Sequence, residues 1–302
     1  MKNHVERLSE DSLAIYLFHG VIHEQDSPVR NYTGKHLPLA YFKQLMKELR
    51  GAGVPISMDE VLQFLDSGTA FPPRSFAVTF DDGFENNLTV AAPVLAELRI
   101  PTTFYVTSSF IEDNKMSWID RIEYCIEKAS RGALKLPWND RPFAFQTIAD
   151  KKRLLDDVRH NVKRAPDISP DALADDIFDQ CGLAPIDQND HPLDKKMNWA
   201  QIKKLAANPL FTVGGHTHTH VVMTHCSEVE LEREVETSLS LLKQNTDIGP
   251  SHYSYPEGLE HCFSENVIAL LKSYGVKICP TAIDGVNRKG ADPFRLKRIM
   301  VG

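Results

Sequence analysis

Two apolar runs, each stopped by residues that end a strand, set the strongest limit on how this chain can fold. Residues 13–18 (LAIYLF) stop at His19-Gly20, and residues 75–80 (SFAVTF) stop at Asp81-Asp82-Gly83. Short apolar runs bounded by turn formers are the pattern of strands buried on both faces. Helical spacing fills the intervals. Residues 39–51 (LAYFKQLMKELRG) and 57–68 (SMDEVLQFLDSG) both end in Gly, the second opens with Ser, and residues 91–98 are apolar enough for a helix before a strand at 103–106. Strand, helix and strand in alternation need crossovers, so the expectation is a parallel sheet or barrel.

From about 112 to 198 the texture changes to charged helical stretches, 119–129 and 148–160, broken by Pro, Gly and Asp. This reads as a helical insertion within a single catalytic domain spanning 1–302. A strand returns at 211–213, and Ser227 with Glu230 three residues on forms a capping box that starts a helix through about Gln244. The segment 253–256, a helix at 265–274, a strand at 276–280 and a last strand near 296–301 complete the pattern.

Hydrophobic residues at 42% and charged residues at 25% are ordinary for a folded protein, which excludes disorder, collagen and coiled coil. The formal charge of −7 repels phosphate backbones and anionic lipid heads, so nucleic acid and membrane surfaces are poor partners. No apolar run reaches the roughly 18 residues of a transmembrane segment, and the start MKNHVERLSEDS is polar, so the expected location is cytoplasmic. The five cysteines are scattered and contain no CxxC, which indicates reduced, mostly buried thiols.

Three segments carry chemistry. In Thr79-Phe80-Asp81-Asp82-Gly83, two carboxylates follow a strand and a glycine permits a sharp turn; this pentapeptide alone fits a plain turn equally well. Gly214-Gly215-His216-Thr217-His218-Thr219-His220 places three imidazoles in five residues after a strand. Two of them with one aspartate would make a three-ligand metal site open to water, although the spacing does not say which two. Ser254-Tyr255-Pro256-Glu257-Gly258 is a turn that could offer backbone donors to an oxyanion.

In this order, TFDDG, HTHTH and YPEG resemble the polysaccharide deacetylase family with the NodB homology domain, carbohydrate esterase family four. The resemblance implies a distorted (β/α) barrel and hydrolysis of an N-acetyl group on an amino-sugar glycan or glycan precursor. Position by position it implies Asp81 as general base, with Asp82, His216 and His220 as ligands of one divalent transition metal. Zinc is the first expectation, and cobalt, nickel, manganese or iron also suit the donors. His218 falls on a variable position, and Thr217 matches a hydroxyl residue expected to orient the site. The backbone N–H of Glu257, in the loop with Tyr255 and Pro256, would receive the oxyanion charge, and Trp118 is the sugar-stacking candidate over Trp138 and Trp199.

The chain departs from the family pattern twice. The late Leu-x-His that supplies the general acid is missing, and His19 in Leu17-Phe18-His19-Gly20 stands where one branch of the family keeps a histidine for that role. The loop at Ser254 lacks the arginine that pairs with the base; Arg121, Arg295 and Arg298 are the other candidates, each read as a surface ion pair. Two alternatives follow from these gaps and from the generality of such a site: hydrolysis of another amide or a formamide, and a silent glycan- or metal-binding module.

Overall fold

The computed structural model describes residues 4–24, 27–249 and 251–302. Strand β1 (Ala14–Phe18) is followed by β2 (Gly20–Ile22), which pairs in parallel with β3 (His36–Pro38). Helix α1 (Leu39–Ala52) buries Phe42, Leu45, Met46 and Leu49, which share one helical face. After the short β4 (Val54–Pro55), helix α2 (Met58–Ser67) opens with a reciprocal capping box between Ser57 and Glu60 and ends at Gly68 in the left-handed region, φ 61°. Strand β5 (Ser75–Phe80), helix α3 (Ala92–Glu97), strand β6 (Thr102–Val106) and helix α4 (Ser108–Asp113) continue the alternation.

Helix α5 (Trp118–Lys128), the antiparallel strands β7 (Gly132–Leu134) and β8 (Phe143–Phe145), and helices α6 (Ile148–Val162) and α7 (Pro170–Gln180) make up most of the inserted region. It is therefore not purely helical, since the short hairpin lies between its first two helices. Its apolar cluster, with Ile122, Leu154, Leu155, Ile177 and Phe178, is separate from the one under the main sheet. Helix α8 (Trp199–Ala206), strand β9 (Phe211–Gly215), helices α9 (Glu228–Thr246) and α10 (Glu265–Ser273) and strand β10 (Ile299–Met300) follow. No helix among the described residues is long and apolar enough to cross a membrane.

The main sheet runs β10-β1-β5-β6-β9 with every pair parallel, and β4 joins the start of β5. Phe18, Phe80 and Phe104 occupy one register row, and their rings stack at 5.2 Å on the helix side of the sheet, with Phe42 of α1 edge-on at 5.5 Å to Phe18. Each such ring, fully buried, contributes about 1.5–3 kcal/mol. Alternation then turns Thr79 and Asp81 to the opposite face, the barrel interior.

Beyond β9 the barrel closes irregularly. The strand expected at 276–280 is only an isolated bridge between His252 and Ile278. The reason is that successive donors there go to different segments: Lys277 N–H donates to Ser251, Cys279 N–H to Pro293 and Thr281 N–H to Leu296, while Pro280 has no N–H. The strand expected at 296–301 shrinks to Ile299–Met300, although Arg298 N–H still donates to Ile283 and Val301 N–H to Leu17, completing the circuit to β1. The result is a distorted (β/α) barrel.

Candidate active site

Asp81 and Asp82 leave the carboxyl end of β5 in opposite senses, and backbone conformation brings them together. Asp81 N–H donates to Phe18 O at 3.0 Å, which keeps Asp81 in strand register and inward. Asp82 then adopts φ 76° and Gly83 φ 80°, so the chain turns and the second carboxylate also enters the interior. Gly83 is required there, because an added Cβ would lie 2.8 Å from Ile111 as well as in the disfavoured region.

The histidine loop is held by the same device. Among the described residues, four of the nine non-glycine residues with positive φ are Asp82, Thr217, His220 and Glu257, so the backbone strain concentrates at this site. Glu234 on α9 compensates, since its carboxylate accepts from the N–H groups of His218 at 2.9 Å and Thr219 at 2.8 Å. His216 and His220 point inward, their Nε2 atoms 3.7 and 3.3 Å from Asp82 Oδ1. His218 turns to Ser108, with Nδ1 2.9 Å from the hydroxyl. Thr217, whose hydroxyl was the expected orienting group, has Oγ1 buried without a partner; its backbone N–H, donating to the Tyr253 hydroxyl at 2.8 Å, does the holding instead.

Asp82, His216 and His220 fit a metal ion. One ligand atom from each lies within 4.8 Å of the others, and Asp82 Oδ1 is buried with no hydrogen-bond partner among the described residues. His216 Nδ1 lies 2.8 Å from Ser254 O, so it carries the proton and donates, and the lone pair on Nε2 faces the site. Gly215 makes that bond geometrically available. A Cβ on it would strike the Tyr253 ring at 2.5 Å, so only glycine lets the segment carrying Ser254 lie alongside β9.

Asp81 is held by a residue from the far end of the chain. Arg298 is fully buried; its Nη1 and Nη2 donate to Asp81 Oδ1 and Oδ2 at 2.9 and 2.8 Å, and Nε donates to Thr281 O at 2.6 Å. Burial pushes the Asp81 carboxyl up, but Arg298 and His216 outweigh it, and Asp81 stays below the usual carboxylate range, ionised at neutral pH. Asp82 is held well below that range in the same way, with Lys35 and His220 overcoming burial. The missing loop arginine is thus replaced by Arg298, one of the three arginines read as surface ion pairs. That reading holds only for Arg295, which is part-exposed beside Glu265 and Asp292; Arg121 is buried but pairs with Asp171, Asp175 and Asp187, away from the base.

Asp81, Asp82, His216 and His220 line a cavity of ≈ 280 Å³ that also includes His19, Trp118, Tyr255 and Glu257. Burial lowers His19 to a pKa of about 4, against a weaker upward pull from Asp82, so its imidazole is neutral at rest. The Glu257 N–H meets no acceptor among the described residues, and its carboxylate is paired with Lys163. The Tyr255 hydroxyl donates to Phe294 O at 3.1 Å and its ring stacks on Phe263 at 4.8 Å, so neither is free to hold a sugar. Pro256 is not on the wall; its carbonyl accepts from Gly258 N–H at 2.7 Å and shapes the turn. Trp138 and Trp199 lie elsewhere, their indole N–H groups donating to Asp157 and Glu112.

The sequence matches the polysaccharide deacetylase family over residues 68–141 and 183–279, more than half of the chain. The chain belongs to the polysaccharide deacetylase family. Its reaction class is accordingly carbohydrate deacetylation. Similar solved structures are the Streptococcus pyogenes deacetylase PplD in complex with acetate, at 14% identity and TM-score 0.61 over 97% of this chain and 93% of that one, and IcaB from Ammonifex degensii, at 18% and 0.61 over 98% and 94%. The deacetylase domain of BpsB from Bordetella bronchiseptica is similar at 16% and 0.55 over 97% and 96%. At these identities the likeness is one of fold. No curated protein matches the chain.

The family match stops across 142–182, and that stretch supplies Arg159 and Lys163 to the cavity wall of this deacetylase. Sequence reasoning missed both, along with Lys35 and Ser254. Arg298 alone had a usable signal: it lies between Leu296 and Ile299, apolar residues that are both buried, where a surface arginine would break the pattern.

Proposed function

We propose that this chain is a metal-dependent N-deacetylase of an amino-sugar glycan or glycan precursor. The observation that carries the reading is the arrangement in one buried cavity of an Asp82–His216–His220 ligand set beside an ionised Asp81 clamped by Arg298. Asp82, His216 and His220 would hold a divalent cation, zinc by preference, which when bound supplies Lewis-acid polarisation of the acetamide carbonyl and acidifies a nearby water.

The chain's own residues do the rest. Asp81, fixed by two hydrogen bonds from Arg298, takes a proton from the attacking water. The Glu257 N–H receives charge developing on the carbonyl oxygen. His19 passes a proton to the departing amine. Being neutral at rest, it relays to the nitrogen the proton that Asp81 takes from water, while negative charge on the substrate favours the imidazolium, so that as the C–N bond breaks both residues return to their resting states. Trp118 offers a ring face to the sugar. Arg298 also supplies the base partner whose apparent lack favours a silent module, which supports turnover.

The test is acetate release from N-acetylated glucosamine oligomers, with bound metal counted in parallel. Wild type should release acetate and carry about one metal per chain; Asp81→Asn should lose about 10²–10⁴-fold in kcat while keeping the metal; His216→Ala with His220→Ala should lose both. Unchanged turnover in Asp81→Asn removes the base assignment, and formate release from N-formylated oligomers without acetate release from N-acetylated ones moves the reaction to a formamide.

A further inference from the structure

Lys35 is a cavity residue for which the reaction above has no use. It precedes β3, outside both segments matched by the family. Its Nζ lies 3.1 Å from Asp82 Oδ2 and 3.3 Å from Asp120 Oδ1, and its side chain is 15% exposed. Asp120 cannot claim it entirely, because the buried Lys196 ammonium stands 3.6 Å from the other oxygen of Asp120. The two oxygens of Asp82 are therefore divided: Oδ2 faces Lys35, and Oδ1 faces the two imidazoles with no hydrogen-bond partner.

A carboxylate can ligate a cation through one oxygen or two, and a neighbouring ammonium decides which. We propose that Lys35 is a positioning residue acting through Asp82: it occupies Oδ2, leaves Oδ1 as the single metal-facing oxygen, and offsets the carboxylate charge. The inference rests on the metal reading above. Its consequence is a trade. A cation bound beside Lys35 is held less tightly, because the two positive charges repel, but keeps more of its charge for the substrate carbonyl.

Opposite signs in two variants test this. Zinc affinity is measured by competition with a chromophoric chelator, and the visible spectrum is recorded after cobalt(II) loading, for wild type, Lys35→Met, Lys35→Arg and Asp120→Asn. Lys35→Met should bind zinc about tenfold or more tighter, by removal of a close positive charge. Asp120→Asn, which leaves Lys35 to Asp82 alone, should bind it more weakly, and Lys35→Arg should stay near wild type. The cobalt absorption of Lys35→Met should weaken as the second oxygen of Asp82 joins the coordination.

A residue that only braces the loop would weaken zinc binding in both Lys35→Met and Asp120→Asn. Equal or weaker zinc binding in Lys35→Met therefore overturns the proposal. If that variant does not fold, the double variant Lys35→Met with Asp120→Asn removes the pair together and must still bind zinc tighter than wild type. A wild type that binds no zinc overturns the metal reading and this proposal with it; wild-type binding that Lys35→Met leaves unchanged overturns the proposal alone.

Discussion

Replacing Arg298 by Met would remove the only guanidinium that touches Asp81 among the described residues and leave that carboxylate buried. The pair lies at 2.8 and 2.9 Å in a bidentate geometry, with Asp81 3% exposed and Arg298 1%. Two unit charges about 4 Å apart attract by about 4 kcal/mol at an effective dielectric of 20, and breaking one partner of a buried pair costs about 3–5 kcal/mol. For a chain of 302 residues, at roughly 2 °C per kcal/mol, the melting temperature should fall by about 6–10 °C at pH 7.5.

The pH dependence has a definite sign. In wild type the folded Asp81 lies below its unfolded value, so its pairing stabilises above the unfolded pKa, and that stability is lost as pH falls through the folded pKa. Without Arg298, burial dominates and the carboxyl rises, so the variant is penalised at neutral pH and recovers relative to wild type on acidification. Melting curves in chelator at pH 7.5 and pH 5 read this directly, and the gap between the two proteins should narrow at the lower pH. Adding Asp81→Asn to Arg298→Met should recover part of the loss, since neither charge is then buried alone. A gap independent of pH, with no recovery in the double variant, would refute the reasoning.

Three further outcomes are expected. His19→Ala should lower kcat by about 10²–10⁴-fold with metal content unchanged, and an unaltered kcat would return His19 to a structural role. Gly215→Ala should cost about 1–3 kcal/mol in urea unfolding, because its Cβ meets the Tyr253 ring at 2.5 Å; a neutral effect would show that the segment carrying Ser254 can shift. Glu257, pushed up by burial but held at about 2 chiefly by Lys163, stabilises the fold above its ordinary 4.5, and this is lost as pH falls through about 2. Lys163→Met should therefore flatten the acid limb of the stability profile, and an unchanged limb would deny the pair that role.

Much of the site was legible because strand punctuation and ligand chemistry are local properties. The apolar run 75–80 stops at the carboxylates, and the run at 211–213 stops at the histidines, so both motifs had to emerge at strand ends. The capping box at Ser227 formed as its spacing required. The strand at 276–280 was illegible for the opposite reason: apolar residues were present, but the donor on Lys277 found its acceptor at Ser251 while those on Cys279 and Thr281 found theirs on the separate segment 293–296. The hydroxyl of Thr217 could be assigned a role by type, yet the positive φ of its backbone turned it away from any partner.

The sequence by itself determined the alternating architecture, the family and the placement of Asp81, Asp82, His216 and His220 at strand ends, because each of these is written in a short segment. Only the tertiary structure decided which cations stand around them. Arg298 reaches Asp81 across 217 positions, and Lys35 and Lys163 approach from a loop and from an inserted region. Pairings of that range depend on how the barrel closes, and closure is set by packing and hydrogen bonding among distant segments that no local pattern records.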